Sequence, residues 1–278
     1  MTEPLQINDK GIILVRGVGD VGSAVAWNLF KAGYQVICHE ERNIRTIRRK
    51  MAFSDALSTG KTKLEGVEAF LCNEMSEIID ATVAHNRICI TALDFEEIIL
   101  KTKPQIIIDA RIQKFSTIHP LKSLSPLTIG IGPGFNAGCD VHFVVESCWG
   151  ADLGKIIHQG FAHNPIATPP EIQGTKWERF IKSPISGDFI TLLSIGDLVE
   201  ENQLIGYVGK TAIYSPIKGY IRGLLKSGLD VHIYDKLCEI DPRLENPKFE
   251  GLAERPEKIA LSLLAEIKRY NLCRPVTF

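Results

Sequence analysis

Gly17-Val18-Gly19-Asp20-Val21-Gly22 follows a short apolar run and opens a stretch of helical periodicity. In that setting a G-x-G-x-x-G turn can present backbone amides and a helix N-terminus to a pyrophosphate. Glu40 stands 18 residues beyond Gly22, at the end of the next apolar run, where a carboxylate can accept from a ribose hydroxyl. The competing reading is a turn that joins strand to helix and binds nothing. Asp20 favours that reading, because a carboxylate beside a phosphate site repels the ligand unless it is turned away or bridged by a metal. Arg42, Arg45, Arg48, Arg49 and Lys50 form a basic run shortly afterwards. It reads either as the solvated face of a helix with Ile44 and Ile47 inward, or as an anion site in which Arg48 and Arg49 meet phosphate oxygens.

A second glycine cluster, Gly130-Ile131-Gly132-Pro133-Gly134-Phe135, leaves another apolar run. The amides around Gly132 and Gly134 can form an anion-binding nest or simply a sharp turn. Asp140, His142 and Glu146, followed by His158 and His163, carry metal-ligating atoms without the spacing of a known ligand motif, so no metal site is expected. Lys210 follows Gly209 where a carrier module would present a modified lysine. Its neighbours are glycine and threonine rather than methionines, so covalent biotin or lipoate is not expected. No G-x-S-x-G, H-E-x-x-H or P-loop pattern occurs, which argues against a hydrolase built on those motifs.

These residues need elements to position them. Apolar runs at Ile12–Arg16, Tyr34–Cys38, Val67–Cys72, Arg87–Thr91, Gln105–Asp109 and Leu127–Ile131 predict strands, with helical patterns between several of them, the first over Val21–Ala32. Strands alternating with helices predict a Rossmann-like, doubly wound sheet over residues 1–135. Residues 136–175 read as a connecting segment with a half-buried strand at Val141–Ser147. Beyond it, Ser183-Pro184-Ile185-Ser186-Gly187 recurs 32 residues later as Ser215-Pro216-Ile217-Lys218-Gly219. Gly196 and Gly228, Val199 and Val231, and Ile205 and Leu237 repeat at the same offset. Two β units sharing one core follow from this repeat. Residues 176–245 therefore predict a mainly β, barrel-sandwich-hybrid domain of biotinyl or lipoyl type. Residues 246–278 carry a helix over Pro256–Tyr270 that packs back through Ile259, Leu263, Leu264 and Ile267.

Composition bounds the setting. A formal net charge of -1 gives no general attraction to nucleic acid or to anionic membranes. The polar stretch Met1–Lys10 does not read as a signal peptide, and the apolar runs are too short to span a bilayer. The seven scattered cysteines predict reduced thiols and a cytoplasmic setting.

Across the chain the motifs resemble one family, the bacterial accessory proteins of molybdenum hydroxylases. The residues that carry the resemblance begin with Arg16-Gly17-Val18-Gly19-Asp20, Ile47-Arg48-Arg49, Phe53-Ser54-Asp55-Ala56 and Leu64-Glu65-Gly66. Further along come Asp109-Ala110-Arg111, Gly130 to Gly138, Val145-Glu146-Ser147 and Asp152-Leu153-Gly154, then Arg222-Gly223-Leu224 and Asp241-Pro242-Arg243. Glu254-Arg255-Pro256 is similar to the branch associated with xanthine and carbon monoxide dehydrogenase maturation rather than the selenium-dependent branch. The resemblance implies a maturation or cofactor-insertion factor with an apo-molybdenum hydroxylase as partner. Its ligand would be nucleotide-containing, either molybdopterin dinucleotide or NAD(P), held by Gly17, Gly19, Gly22 and Glu40. The alternatives are an NAD(P)-dependent oxidoreductase and a non-catalytic interaction module. A homo-oligomer is compatible with all three, and the sequence leaves open whether the chain is an enzyme.

Overall fold

The computed structural model describes residues 11–42, 45–84, 86–112, 119–164 and 169–272. Met1–Lys10 and Ile44 lie outside the described residues. The chain divides into two compact units, one of residues 1–42, 52–166 and 252–278, the other of residues 43–51 and 167–251.

The first unit contains β1 (Ile12–Arg16), α1 (Asp20–Lys31), β2 (Gln35–His39), α2 (Ala56–Thr59), β3 (Lys61–Leu64) and β4 (Val67–Leu71). It continues with α3 (Met75–Ala84), β5 (Ile88–Thr91), α4 (Phe95–Thr102), β6 (Ile106–Asp109) and β7 (Leu127–Ile131). The strands β8 (Asn136–Ala137), β9 (Phe143–Val145), β10 (Ile156–Ile157) and β11 (Gly160–Phe161) follow. Nine of these strands form one sheet in the order β10-β9-β7-β6-β1-β2-β5-β4-β3, while β8 and β11 pair separately. The strands from β9 to β4 run parallel, and their near-continuous Ile and Val runs suit a sheet covered on both faces. Ile12, Leu14, Ile37 and Ile107 pack on one face with Ile78, Ala81 and Ile98 of α3 and α4.

The second unit contains β12 (Phe180–Lys182), β13 (Gly187–Ile190), β14 (Leu198–Val199), β15 (Leu204–Val208), β16 (Thr211–Tyr214), β17 (Gly219–Leu224), β18 (Leu229–Val231) and β19 (Lys236–Asp241). They form two antiparallel sheets, β12-β19-β17-β14 and β16-β15-β13-β18, around a core that includes Phe189, Val199, Ile205, Ile221, Val231 and Leu237. The 32-residue offset carries each strand of one sheet onto a strand of the other in the same order.

The expected fold, a Rossmann-like doubly wound sheet followed by a biotinyl or lipoyl-like barrel-sandwich hybrid, is corrected here. The large sheet is mixed: β3 and β10 are antiparallel edges, and Phe143–Val145 is an inner strand with all three residues buried rather than half-buried. The β3–β4 hairpin was invisible as an apolar run because Lys61-Thr62-Lys63 is polar. Its signal is the two-residue turn Glu65-Gly66, where both residues have positive φ (44° and 81°), as a tight hairpin turn requires. The second unit consists of two small antiparallel sheets, and its basic segment, expected as a helix, forms only a 3₁₀ turn at Arg49–Met51.

The last helix, α5 (Glu254–Leu272), buries Ile259, Leu263 and Ile267. Among the described residues no helix is long and apolar enough to cross a membrane.

Glu239, fully buried on β19, gathers three arginines of the second unit. Arg48 donates to it twice, at 2.7 and 3.0 Å, and Arg179 at 2.5 Å, with Arg222 at 3.6 Å. Burial alone would raise the Glu239 pKa, but Arg48 and its neighbours hold it below the usual carboxylate range.

Glu239→Gln strips this buried arginine cluster of its main countercharge. Urea unfolding of the second unit should show a loss of about 3–5 kcal/mol. In the first unit a Cβ on Gly22 would collide with the Gly17 carbonyl oxygen, so Gly22→Ala should cost about 1–3 kcal/mol, read from the thermal transition.

Candidate functional site

The parallel register aligns a polar row across the carboxyl ends of the central strands. Arg16 of β1 lies beside His39 of β2 and Asp109 of β6, and His39 lies beside Thr91 of β5. Register partners in a parallel sheet point to one face. Here that is the face shared by Leu14 and Ile37, so the row caps the apolar core at its end. The position flanked by strands leaving in opposite directions is where open α/β sheets bind ligands. β1, between β2 and β6, is that position.

Asp109 is almost fully buried and accepts from Arg111 through Nε (3.1 and 3.2 Å) and Nη2 (2.6 Å). Arg16 Nη1 lies 3.6 Å from the same carboxylate, and its guanidinium stacks 3.8 Å above the Phe95 ring. Burial lowers the Arg16 pKa, and Asp109 opposes that shift. Burial also works against the charge of Arg111, but its hydrogen bonds to Asp109 prevail and raise its pKa. The Nη1 of Arg111 has no partner among the described residues, and the side chain is partly open to solvent.

His39 Nε2 lies 3.1 Å from the Leu93 carbonyl oxygen, so the proton sits on Nε2 and Nδ1 presents a lone pair. Burial, aided by Arg16, pushes the imidazole pKa down to about 4. Among the described residues His39 Nδ1 and Arg16 Nε are both buried without a hydrogen-bond partner. Unpaired buried polar atoms cost stability and call for water or a ligand group.

The glycine turn borders this row. Gly17 donates to the His39 carbonyl, and Val18 donates to Glu40 Oε2 at 3.2 Å. Glu40 Oε1 accepts from the Glu41 amide at 3.1 Å. Burial raises the Glu40 pKa against the pull of those amides. Gly19 caps α1, and Asp20 turns its Oδ1 onto the Val21 amide at 2.9 Å. Glu40 and Asp20 thus occupy two of the amides that a phosphate would need.

The other expected site residues are placed differently. The Gly132 amide donates to the Val145 carbonyl, and a Cβ there would lie 2.6 Å from Ser147 Oγ, so packing accounts for this glycine. Gly134 is exposed at positive φ (108°). Arg48 and Arg49 belong to the second unit, where Arg48 pairs with Glu239 and Arg49 donates to the Leu224 carbonyl at 3.0 Å. Asp140 accepts from the Asn136 amide, and His142 Nδ1 accepts from the Thr128 amide. Glu146 accepts from the Ser147, Cys148 and His163 amides at 2.7 Å each. Among the described residues no three His, Cys, Asp or Glu side chains are grouped as a metal site. Sequence reading missed Arg16, His39, Asp109 and Arg111 as a cluster. Their one signal was a polar residue ending each of three apolar runs.

The chain is similar to a protein of Escherichia coli K12 described as uncharacterized protein YqeB. Identity is 33% over 264 residues, 95% of this chain and 48% of that protein, so the chain spans about half the length of the curated relative it matches. No family model matches the chain. Solved structures similar to it include an aspartoacylase family protein of Mesorhizobium loti (10% identity, TM-score 0.24, covering 76% of this chain and 58% of that one). Another is a succinylglutamate desuccinylase/aspartoacylase of Rhodobacter sphaeroides (11%, TM-score 0.27, 83% and 84%). A third is the ectoine utilization protein EutE of Ruegeria pomeroyi (11%, TM-score 0.25, 83% and 84%).

These findings correct the expected family. None of these proteins is described as a molybdenum hydroxylase accessory or maturation protein, and no family model matches to supply that description. The expected role in cofactor insertion, and the nucleotide-binding, xanthine dehydrogenase and biotinyl or lipoyl labels attached to it, are withdrawn with it. Glycine-rich turns in a similar order reflect how helices pack on strands, and that constraint is not confined to one family.

The depressed pKa of His39 has a consequence for stability. Unfolded histidine titrates near 6.5 and His39 near 4, so the unfolded chain binds the proton first. The contribution is complete above pH 6.5 and is lost as pH falls towards 4, by at most about 3 kcal/mol. His39→Asn should flatten that part of the stability–pH curve measured by denaturant unfolding between pH 7 and pH 4.

Proposed function

We propose that the chain binds a small hydroxylated anion, such as a sugar phosphate or a hydroxy acid, at the carboxyl ends of β1, β2 and β6. The observation that carries this reading is the pair of guanidinia on one buried carboxylate, with Arg16 Nε and His39 Nδ1 buried beside it and unpaired. Arg111, the more open of the two, meets the anionic group through Nη1, which has no partner among the described residues. Asp109 holds both guanidinia in place, so that little ordering remains to be done on binding. Glu40 accepts from a ligand hydroxyl, since its carboxylate already sits at the rim of the glycine turn. Neutral His39 accepts through Nδ1, which excludes a cation from that corner less strongly than an imidazolium would. The turn itself orients Glu40 and Arg111 rather than cradling a pyrophosphate, because a Cβ on Gly17 would lie 3.1 Å from the Arg111 amide nitrogen.

Thermal-shift measurements with a panel of sugar phosphates and hydroxy acids test the reading. A ligand at about 100 times its Kd should stabilise the chain by about 2.7 kcal/mol, a shift of a few degrees. Arg111→Ala should weaken that ligand at least tenfold, and Glu40→Gln should discriminate between hydroxylated ligands and their deoxy analogues. If no panel member shifts the transition, or the shift survives Arg111→Ala, the site is not the one described.

A further inference from the structure

The internal repeat of the second unit makes its two sheets equivalent in strand order, yet their outer faces are treated differently. On β12-β19-β17-β14 the outer face carries Glu239, Arg222 and Asp241, all buried. A segment of the same unit covers it: Arg48 pairs with Glu239, the Ile47 carbonyl accepts from the Leu224 amide at 2.8 Å, and Arg45 pairs with Asp235. Subtracting the 32-residue offset from Arg222 and Glu239 leads to Ile190 and Tyr207 on the other sheet. Those two are register partners, and they are 48% and 44% exposed. Leu204 and Tyr214, also register partners, extend the bare face, with Leu192 fully exposed at the end of β13.

Charge marks the same face. Asp188 and Asp230 stand directly opposite each other on β13 and β18, both exposed, and neither forms an ion pair with a described residue. Like charges facing across an antiparallel pair destabilise a sheet, so their placement calls for a cation supplied from outside. An apolar patch rimmed by charge is the ordinary form of a protein interaction site. A second copy of the chain would bring the same two aspartates to the face and meet them with repulsion.

We infer that the outer face of β16-β15-β13-β18 docks an extended segment of another polypeptide in which lysine or arginine alternates with aliphatic residues. The aliphatic side chains lie on Ile190, Tyr207 and Tyr214, and the basic groups pair with Asp188 and Asp230. The chain itself supplies a related segment to the equivalent face, in which Arg45, Arg48 and Arg49 flank the aliphatic Ile47. This assignment is independent of the anion site in the first unit.

Fluorescence anisotropy with the full chain tests it, using as probe a labelled ten-residue peptide with the sequence of residues 42–51. The peptide should bind, and its affinity should fall at least tenfold for the Asp188→Lys, Asp230→Lys double variant and for Tyr207→Glu. A peptide with its arginines replaced by glutamates should not bind. The Asp188→Asn, Asp230→Asn pair provides a gentler change should the lysine variant unfold, with thermal transitions checking both. No binding by the wild-type chain overturns the inference. So does binding that ignores the substitutions, since the peptide would then be exchanging onto Glu239. A wild-type dimer that Tyr207→Glu converts to monomer also overturns it, and makes the face a contact between copies.

Discussion

The in-register pairing of β1 with β2 on one side and β6 on the other is the constraint on which the candidate site depends. It sets Arg16 level with His39 and Asp109, so that an ion pair, a cation–π contact and a buried imidazole meet at one end of the sheet. A slip of one residue on either side would send Asp109 or His39 to the opposite face and bring a residue such as Ile108 or Cys38 into the row. The register is held by burial: Ile12, Leu14, Ile37 and Ile107 all belong to one apolar core, and a slipped strand would lose its share of it. Hydrophobic pairing deep in the sheet thus fixes the polar geometry at its edge.

Much of the first unit was legible because its strands are continuous apolar runs. Ile12–Arg16 and Leu127–Ile131 coincide with the strands read from sequence, and the first and last helices fall within two residues of their expected bounds. What could not be read was pairing. Lys61–Leu64 has no apolar alternation and becomes a strand only because the Glu65-Gly66 turn returns it against Val67–Leu71. The family and the function were misjudged for a related reason. Glycines at a strand-to-helix turn are demanded by backbone proximity, as at Gly22, whether or not a ligand is present. The candidate site is made of Arg16, His39, Asp109 and Arg111, whose proximity depends on strand order and is not written in any local motif.

The basic run shows the same limit from the other side. Arg48 and Arg49 look like phosphate ligands in sequence because guanidinium forks match phosphate oxygens. The carboxylate that Arg48 meets is Glu239, 191 residues away, fully buried and shared with Arg179. A buried carboxylate surrounded by guanidinia is weak evidence of net stability, since each ion must be desolvated. Its effect is on specificity: only the chain arrangement that brings Arg48 onto β19 satisfies Glu239, so the covering segment has one place to go. The repeat that builds the two sheets therefore does not make them alike, because one of the two faces received an acid that demands a cover.

A guanidinium can be held by a buried acid for packing or for binding, and both units of this chain leave guanidinium nitrogens unpaired among the described residues. In the second unit Arg48 gives Nε and Nη2 to Glu239, and Arg49 gives Nε to a carbonyl, so the segment is fixed in place. In the first unit Arg111 also gives Nε and Nη2 to Asp109, and among the described residues Arg111 Nη1, Arg16 Nε and His39 Nδ1 have no partner, as Arg179 Nε and Arg222 Nε have none in the second unit. Each unpaired buried group costs about 1–3 kcal/mol, so both clusters carry that cost and the unpaired nitrogens alone do not separate binding from packing. What sets the first unit's group apart is its place: its donors and its acceptor lie on neighbouring strands, at the sheet end where β1 is flanked on both sides.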